Sequence, residues 1–208
     1  MFTANHNRCL LAAGLLALGS CLGNAAVGAV IFDNLGPNNA FTPIAGAQVI
    51  DDGGSSIRQI GASFTTPPSP YPWLVTSVEL PLSLQLGTSN SFDVQLRRNQ
   101  PQPGPLPDIP GFPVVGLSQA APATATPSVL TALYPPTTLL APGQKYWVVV
   151  DGNANRGNWH YNVLGQTGQA VNLSTFGWGF GDGPNWPKPA FRINAMPAPP
   201  RCYLSNPG

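Results

Sequence analysis

Charge is what this sequence has least of: only 8% of its 208 residues are charged, and the formal net charge is +1. The few Lys and Arg are scattered, so no basic patch or stripe marks a nucleic-acid footprint or an anionic membrane surface, and neither partner is expected. Cysteine is almost as scarce. Of the three, Cys9 and Cys21 lie in the first apolar stretch and Cys202 stands alone in the body, which excludes an internal disulfide framework and any CxxC or Cys/His zinc site in a mature chain. Histidine occurs twice, as His6 and His160. Beyond residue 30 no window sustains a 3.6-residue apolar period, because Pro (25) and Gly (23) interrupt nearly every stretch long enough for a helix.

At its start the chain has one positive charge, Arg8, followed by "CLLAAGLLALGSCLG", an apolar run of signal-peptide length and too short to cross a bilayer. Export is the expectation. "VGA", Val27 to Ala29, places compact side chains where a signal peptidase cuts, giving a signal peptide over 1–29 and a mature start at "VIFDNLG". A competing reading takes "LGSC", Leu18 to Cys21, as a lipobox, with Cys21 lipidated and its acyl chains holding the protein at the envelope.

The body reads as strands. "SVELPLSLQL" alternates Val78, Leu80, Leu82, Leu84 and Leu86 against Ser77, Glu79, Pro81, Ser83 and Gln85, a half-buried strand that Pro81 demotes to an edge or bulge. The same period places Phe92, Val94 and Leu96 inward in "SFDVQLRRN", Ile60, Ala62 and Phe64 in "IGASFTT", and Phe191, Ile193 and Ala195 in "AFRINA". Tyr146 to Val150 is apolar throughout and ends at Asp151-Gly152, which predicts a strand covered on both faces followed by a turn. About nine short strands in one domain, residues 30–197, predict an all-β fold: an antiparallel β-sandwich, jelly-roll-like, with 198–208 as a disordered tail. "NQPQPGPLPDIPGFP" is the one long connection and reads as a solvated, extended linker.

The order of landmarks, "VIFDNLGP", "IGASFTT", "LVTSVELPLSL", "SFDVQLRRN", "LLAPGQKYWVVVDGN" with "GNWHYN", and "AFRINAMPAP", resembles the choice-of-anchor R family of bacterial exported proteins over roughly residues 30 to 197. The resemblance implies an exported β-sandwich with no known activity, whose relatives carry varied C-terminal anchors, often a PEP-CTERM sorting signal handled by an exosortase in exopolysaccharide-producing bacteria. Met196-Pro197-Ala198-Pro199 stands where that motif would be, with Ala198 in place of its Glu. "PRCYLSNPG" then supplies neither an apolar span nor an Arg cluster, so the signal is expected to be absent or degenerate, through truncation or frameshift past Pro199.

Catalysis needs a nucleophile, a base and orienting groups that converge. His160, between Trp159 and Tyr161, reads as a surface strand residue without partners rather than a base. Most carboxylates fall in turn signals, where Asx chemistry accounts for them. The chain is therefore expected not to be an enzyme and to need no cofactor, with structural calcium from "DDGG" (Asp51, Asp52) or "GDGPN" (Asp182, Asn185) as a minor reading. Carbohydrate contact falls to Trp159, Trp178 and Trp186 in a Gly- and Asn-rich neighbourhood, since sugar faces stack on exposed rings. The function expected is that of a non-enzymatic envelope or extracellular-matrix protein working in adhesion or exopolysaccharide association. Its partners would be extracellular polysaccharide or cell-surface components, with no transmembrane span in the mature chain. The alternative is a lectin-like module or a carbohydrate-active enzyme on a jelly roll.

Overall fold

The computed structural model describes residues 28–51, 57–87, 90–99, 114, 116–120, 123–168, 170–174, 177–180 and 187–198. They contain thirteen strands and no α-helix. In chain order these are β1 (Ala29–Asp33), β2 (Phe41–Asp51), β3 (Ile57–Thr65), β4 (Trp73–Gly87), β5 (Phe92–Arg98), β6 (Gly116–Ala120) and β7 (Ser128–Leu133). There follow β8 (Leu139–Leu140), β9 (Lys145–Asp151), β10 (Asn155–Asn162), β11 (Ala170–Ser174), β12 (Gly177–Phe180) and β13 (Arg192–Pro197).

All pairings are antiparallel, and the ladder closes. From β4 it runs through β10, β2, β3, β9, β5, β6 and β7, and β7 returns to β4, so eight strands form a ring. The all-β expectation is met, but the open sandwich is not what the ladder forms. Two corners are thin: β2 meets β3 through Ile50↔Arg58 and Asp51↔Ile57, and β6 meets β7 through Ala120↔Ala132 alone. Among the described residues, closure leaves no free edge within the eight-strand ring, while β1 and β12, which branch from it through β13 and β11, each pair on one side.

β4 is the spine, and it also corrects the reading of Pro81. That residue lies mid-strand, paired with Val129 of β7 on one side. On the other side the β13 pairs end at Glu79 and the β10 pairs begin at Leu82. A residue with no N–H is tolerated at such a change of partner. Leu86 also departs from its alternation. A register shift opposite Arg156/Gly157 puts Leu84 and Leu86 both in register with β10, and Leu86 is 67% exposed while Val78, Leu80 and Leu82 are fully buried. Gly157 is required at this crossing, since a Cβ there would come within 2.3 Å of Ser83 O and 2.5 Å of Phe92 Cζ.

Inside the ring the predicted alternation holds: Ile60, Ala62, Phe64, Phe92, Val94, Leu96, Ile193 and Ala195 join one apolar cluster. Burying each large member contributes about 1.5–3 kcal/mol before the entropy cost. Phe191 is the aromatic hub, stacked on Phe32 at 4.5 Å and edge-on to Phe64 and Trp159 at 6.1 and 5.8 Å. Asn34 fastens the N-terminal segment beside it by donating to Pro189 O and accepting from Phe191 N. Arg192 bridges Asp33 and Glu79 at 2.9 and 3.0 Å across β1, β13 and β4. Trp147 and Val149 alternate away from this cluster and are also fully buried, as expected of a strand covered on both faces.

Candidate functional site

β5 ends at Arg98 and β9 begins at Lys145, and Arg98 is in register with Tyr146, so two cations arrive at the same end of the ring. The segment before β9 is fixed from several directions. Thr66 Oγ1 donates to Ala141 O at 2.7 Å and accepts from Gln144 N, and Ala141 N donates to Tyr146 Oη at 2.8 Å. Gly143 turns this segment with φ +66°, a conformation open to glycine at little cost. The result is an open cleft of about 530 Å³ between β8, β9 and Pro72.

Its chemistry is one-sided. Arg98, Lys145, Asn99 and Gln144 supply donors, Pro72, Leu139 and Tyr146 supply apolar surface, and among the described residues no carboxylate lines it. Lys145 Nζ lies 5.1 Å from the centre of the Trp147 ring, and burial pushes its amine below the ordinary lysine value. Trp147 is itself oriented by donating from Nε1 to Asn99 Oδ1 at 3.0 Å. Tyr71, one residue from Pro72, is 42% exposed. Two cations with adjacent amides and an aromatic floor suit a ligand that carries carboxylate or sulfate groups beside sugar hydroxyls.

Trp159 is removed from the carbohydrate set: it is fully buried, and its indole donates to Ala190 O at 2.8 Å. The Gly- and Asn-rich sequence around it suggested exposure, but the strand turns this ring toward the core. The backbone of Trp178 lies in β12, in register with Leu173, and its side chain is outside the described residues. Trp186, Asp52, Asp182, Asn185 and Cys21 fall outside them too. Asp51 accepts from Ala154 N at 2.9 Å. Among the described residues no group of three His, Cys, Asp or Glu converges to hold a metal, and no helix is long and apolar enough to cross a membrane.

His160 is a second correction. It is 2% exposed, with Nε2 2.9 Å from Ser83 Oγ and Nδ1 3.1 Å from Thr42 O. Phe41 packs beside its ring at 5.6 Å. Burial lowers the imidazole below its ordinary value, so the group is a neutral structural crosslink between β2, β4 and β10.

Sequence reasoning missed Arg98, Gln144 and Lys145. The signal that marked Gln144 and Lys145 was the Pro-Gly turn in "LAPGQKYW", which sets polar residues at the mouth of a buried strand, and nothing local marked Arg98. Comparison of the chain with protein-family models finds no match, and a search of curated proteins finds none either.

Proposed function

We propose that this chain is an exported, non-enzymatic envelope or extracellular-matrix protein that associates with exopolysaccharide through the cleft at the Arg98–Lys145 end. The observation that carries this reading is a preformed cleft holding two cations, two amides and aromatic surface, with no carboxylate among the described residues that line it. Such a lining favours acidic sugars over neutral ones by Coulomb attraction and charge-assisted hydrogen bonds. The thin corners support a reading of the ring as two packed sheets of the jelly-roll-like, choice-of-anchor kind. Export by the leader, with Cys21 lipidation as the competing anchor, belongs to the same reading.

A carbohydrate-active enzyme is less favoured by what surrounds the acids. Asp33 and Glu79 are bound to Arg192, and Asp93 and Asp151 are hydrogen-bonded to Gln119 and Gln59, away from the cleft. The test is binding of the full chain to alginate, an acidic polysaccharide, and to neutral dextran. Alginate binding that weakens with salt and falls at least about tenfold in Arg98→Glu/Lys145→Glu is the expected result. Equal binding of dextran, or an unaffected double variant, would overturn the site.

A further inference from the structure

Away from that cleft, a polar row crosses four strands on the outer side of the ring. Asp93 of β5 is in direct register with Asp151 of β9 and, on its other side, with Gln119 of β6. Gln119 Nε2 donates to Asp93 Oδ1, and Gln59 Nε2 of β3 donates to Asp151 Oδ2. The order across the sheet is amide, acid, acid, amide. Two ionised carboxylates facing each other across a strand pair repel, and Asp51 adds a third acid nearby.

Two atoms in this row have no hydrogen-bond partner: Asp151 Oδ1 and Gln59 Oε1, both buried. Gln59 is itself about nine-tenths buried. Both orphans are acceptors, and they belong to the two groups already joined by the other half of the same contact. One hydrogen atom on Asp151 Oδ1 supplies the missing donor for Gln59 Oε1 and satisfies both at once. It also removes one of two facing negative charges.

We propose that Asp151 keeps its proton in the folded protein and closes a two-bond ring with the Gln59 amide, forming a pH-sensitive latch at the β2–β3–β9 corner. The acid donates from Oδ1 to Gln59 Oε1 and accepts at Oδ2 from Gln59 Nε2. When the proton leaves for solvent, Gln59 Oε1 loses its donor and the carboxylate confronts Asp93 and Asp51. The corner involved is one of the two thin ones, where β2 and β3 share only two residue pairs. Burial raises Asp151 above the ordinary carboxylate range against the opposing hydrogen bonds from Gln59 and Asn153, and Asp51 and Asp93 add to the rise. Arg58 of β3 and Arg156 of β10 are both in register with Ile50, and neither is among the groups that act on Asp151.

The sign of the pH effect follows. A carboxyl whose folded-state value is raised binds more protons folded than unfolded, so its contribution to stability is full below the ordinary value and is lost as pH rises through the raised one. Two measurements on the full chain test the latch. In a carbon-13 NMR titration of the aspartate carboxyls, Asp151 is expected to ionise above the ordinary carboxylate value; ionisation at or below that value overturns the proposal. Thermal midpoints between about pH 4 and about pH 8 are compared for the wild type and Asp151→Asn, whose amide reproduces both bonds. The variant should gain on the wild type as pH rises; parallel curves overturn the proposal. So does a rise in the wild-type midpoint on adding calcium chloride that Asp151→Asn lacks, since a cation would then fill the place given to the proton.

Discussion

The two ends of β9 gather charge of opposite sign. Lys145 opens the strand and Asp151 closes it, while antiparallel β5 brings Arg98 to the first end and Asp93 to the second, about 20 Å away. Lys188, nine-tenths buried, joins the cationic side, its Nζ 5.0 Å above the Phe32 ring and close enough to Lys145 to feel its charge. Each end therefore holds like charges together, and the difference in how they are tolerated comes from side-chain length. Arg98 and Lys145 lay flexible stems along the fold and carry their charge to an open cleft. Asp151 has one methylene and cannot carry its buried Oδ1 out to solvent, and burial raises its carboxyl, so in the proposed latch a proton neutralises it where it stands.

The largest effect that would break this contrast comes from Gln59→Leu, which strips the Gln59 amide from the Asp151 carboxyl and leaves it the hydrogen bond from Asn153. A loss of about 1–3 kcal/mol is expected in urea unfolding, with the midpoint falling at unchanged slope. Loss confined to a few tenths of that range would mean that solvent already serves Asp151.

Lys188→Met sharpens the comparison through its sign. Burial, with Lys145 adding, pushes the Lys188 amine down to about 8 from its ordinary 10.5. The folded chain then binds fewer protons than the unfolded one between those values, so wild-type stability should rise with pH there, by on the order of 2 kcal/mol. The variant should lack the rise, while the acidic end gives the opposite slope at lower pH. A wild-type curve parallel to that of Lys188→Met between about pH 8 and pH 10.5 would mean that the amine is solvated in the fold.

The lining of the ring was legible in the sequence because period two is a local property: Phe92, Val94, Leu96, Ile60 and Phe64 needed only their neighbours to be assigned. Closure was not legible, since it rests on β4 meeting β7 some fifty residues later and on a single β6–β7 pair. The outer layer was hidden for a related reason. Alternation assigns His160 to the face away from the core, and nothing local in its strand says that this face is covered as well. Asp151 also carried a turn signal, which drew attention to its backbone and away from its carboxyl. Of the site, the Pro-Gly turn was visible, but the meeting of Arg98 with Lys145 depends on strand register across 46 intervening positions.

The smallest test concerns the turn beyond Asp151. Asp151-Gly152 was expected to be the turn itself, yet Asp151 is the last strand residue, and the two residues that reverse the chain are Asn153 and Ala154, with φ of 49° and 63°. Asn155 N donates to Gly152 O across them, the pattern of a four-residue β-turn with both central residues left-handed, joining two strands that do not pair with each other. Asparagine tolerates that region, whereas the alanine Cβ crowds the following carbonyl at a cost of about 1–2 kcal/mol. The amide of Ala154 gives a reason for the geometry, since it donates to Asp51 Oδ2 and ties the end of β2 to the turn. Ala154→Gly keeps that amide and removes the crowding, while loosening the unfolded chain by about 0.4–1 kcal/mol. A net gain of about 0.5 kcal/mol is expected, read as a small rise in thermal midpoint. Because Asp51 keeps its bond, the pH dependence assigned to Asp151 should be unchanged in this variant. A changed pH profile would mean that the turn, and not the acid–amide pair, sets the response of the acidic end.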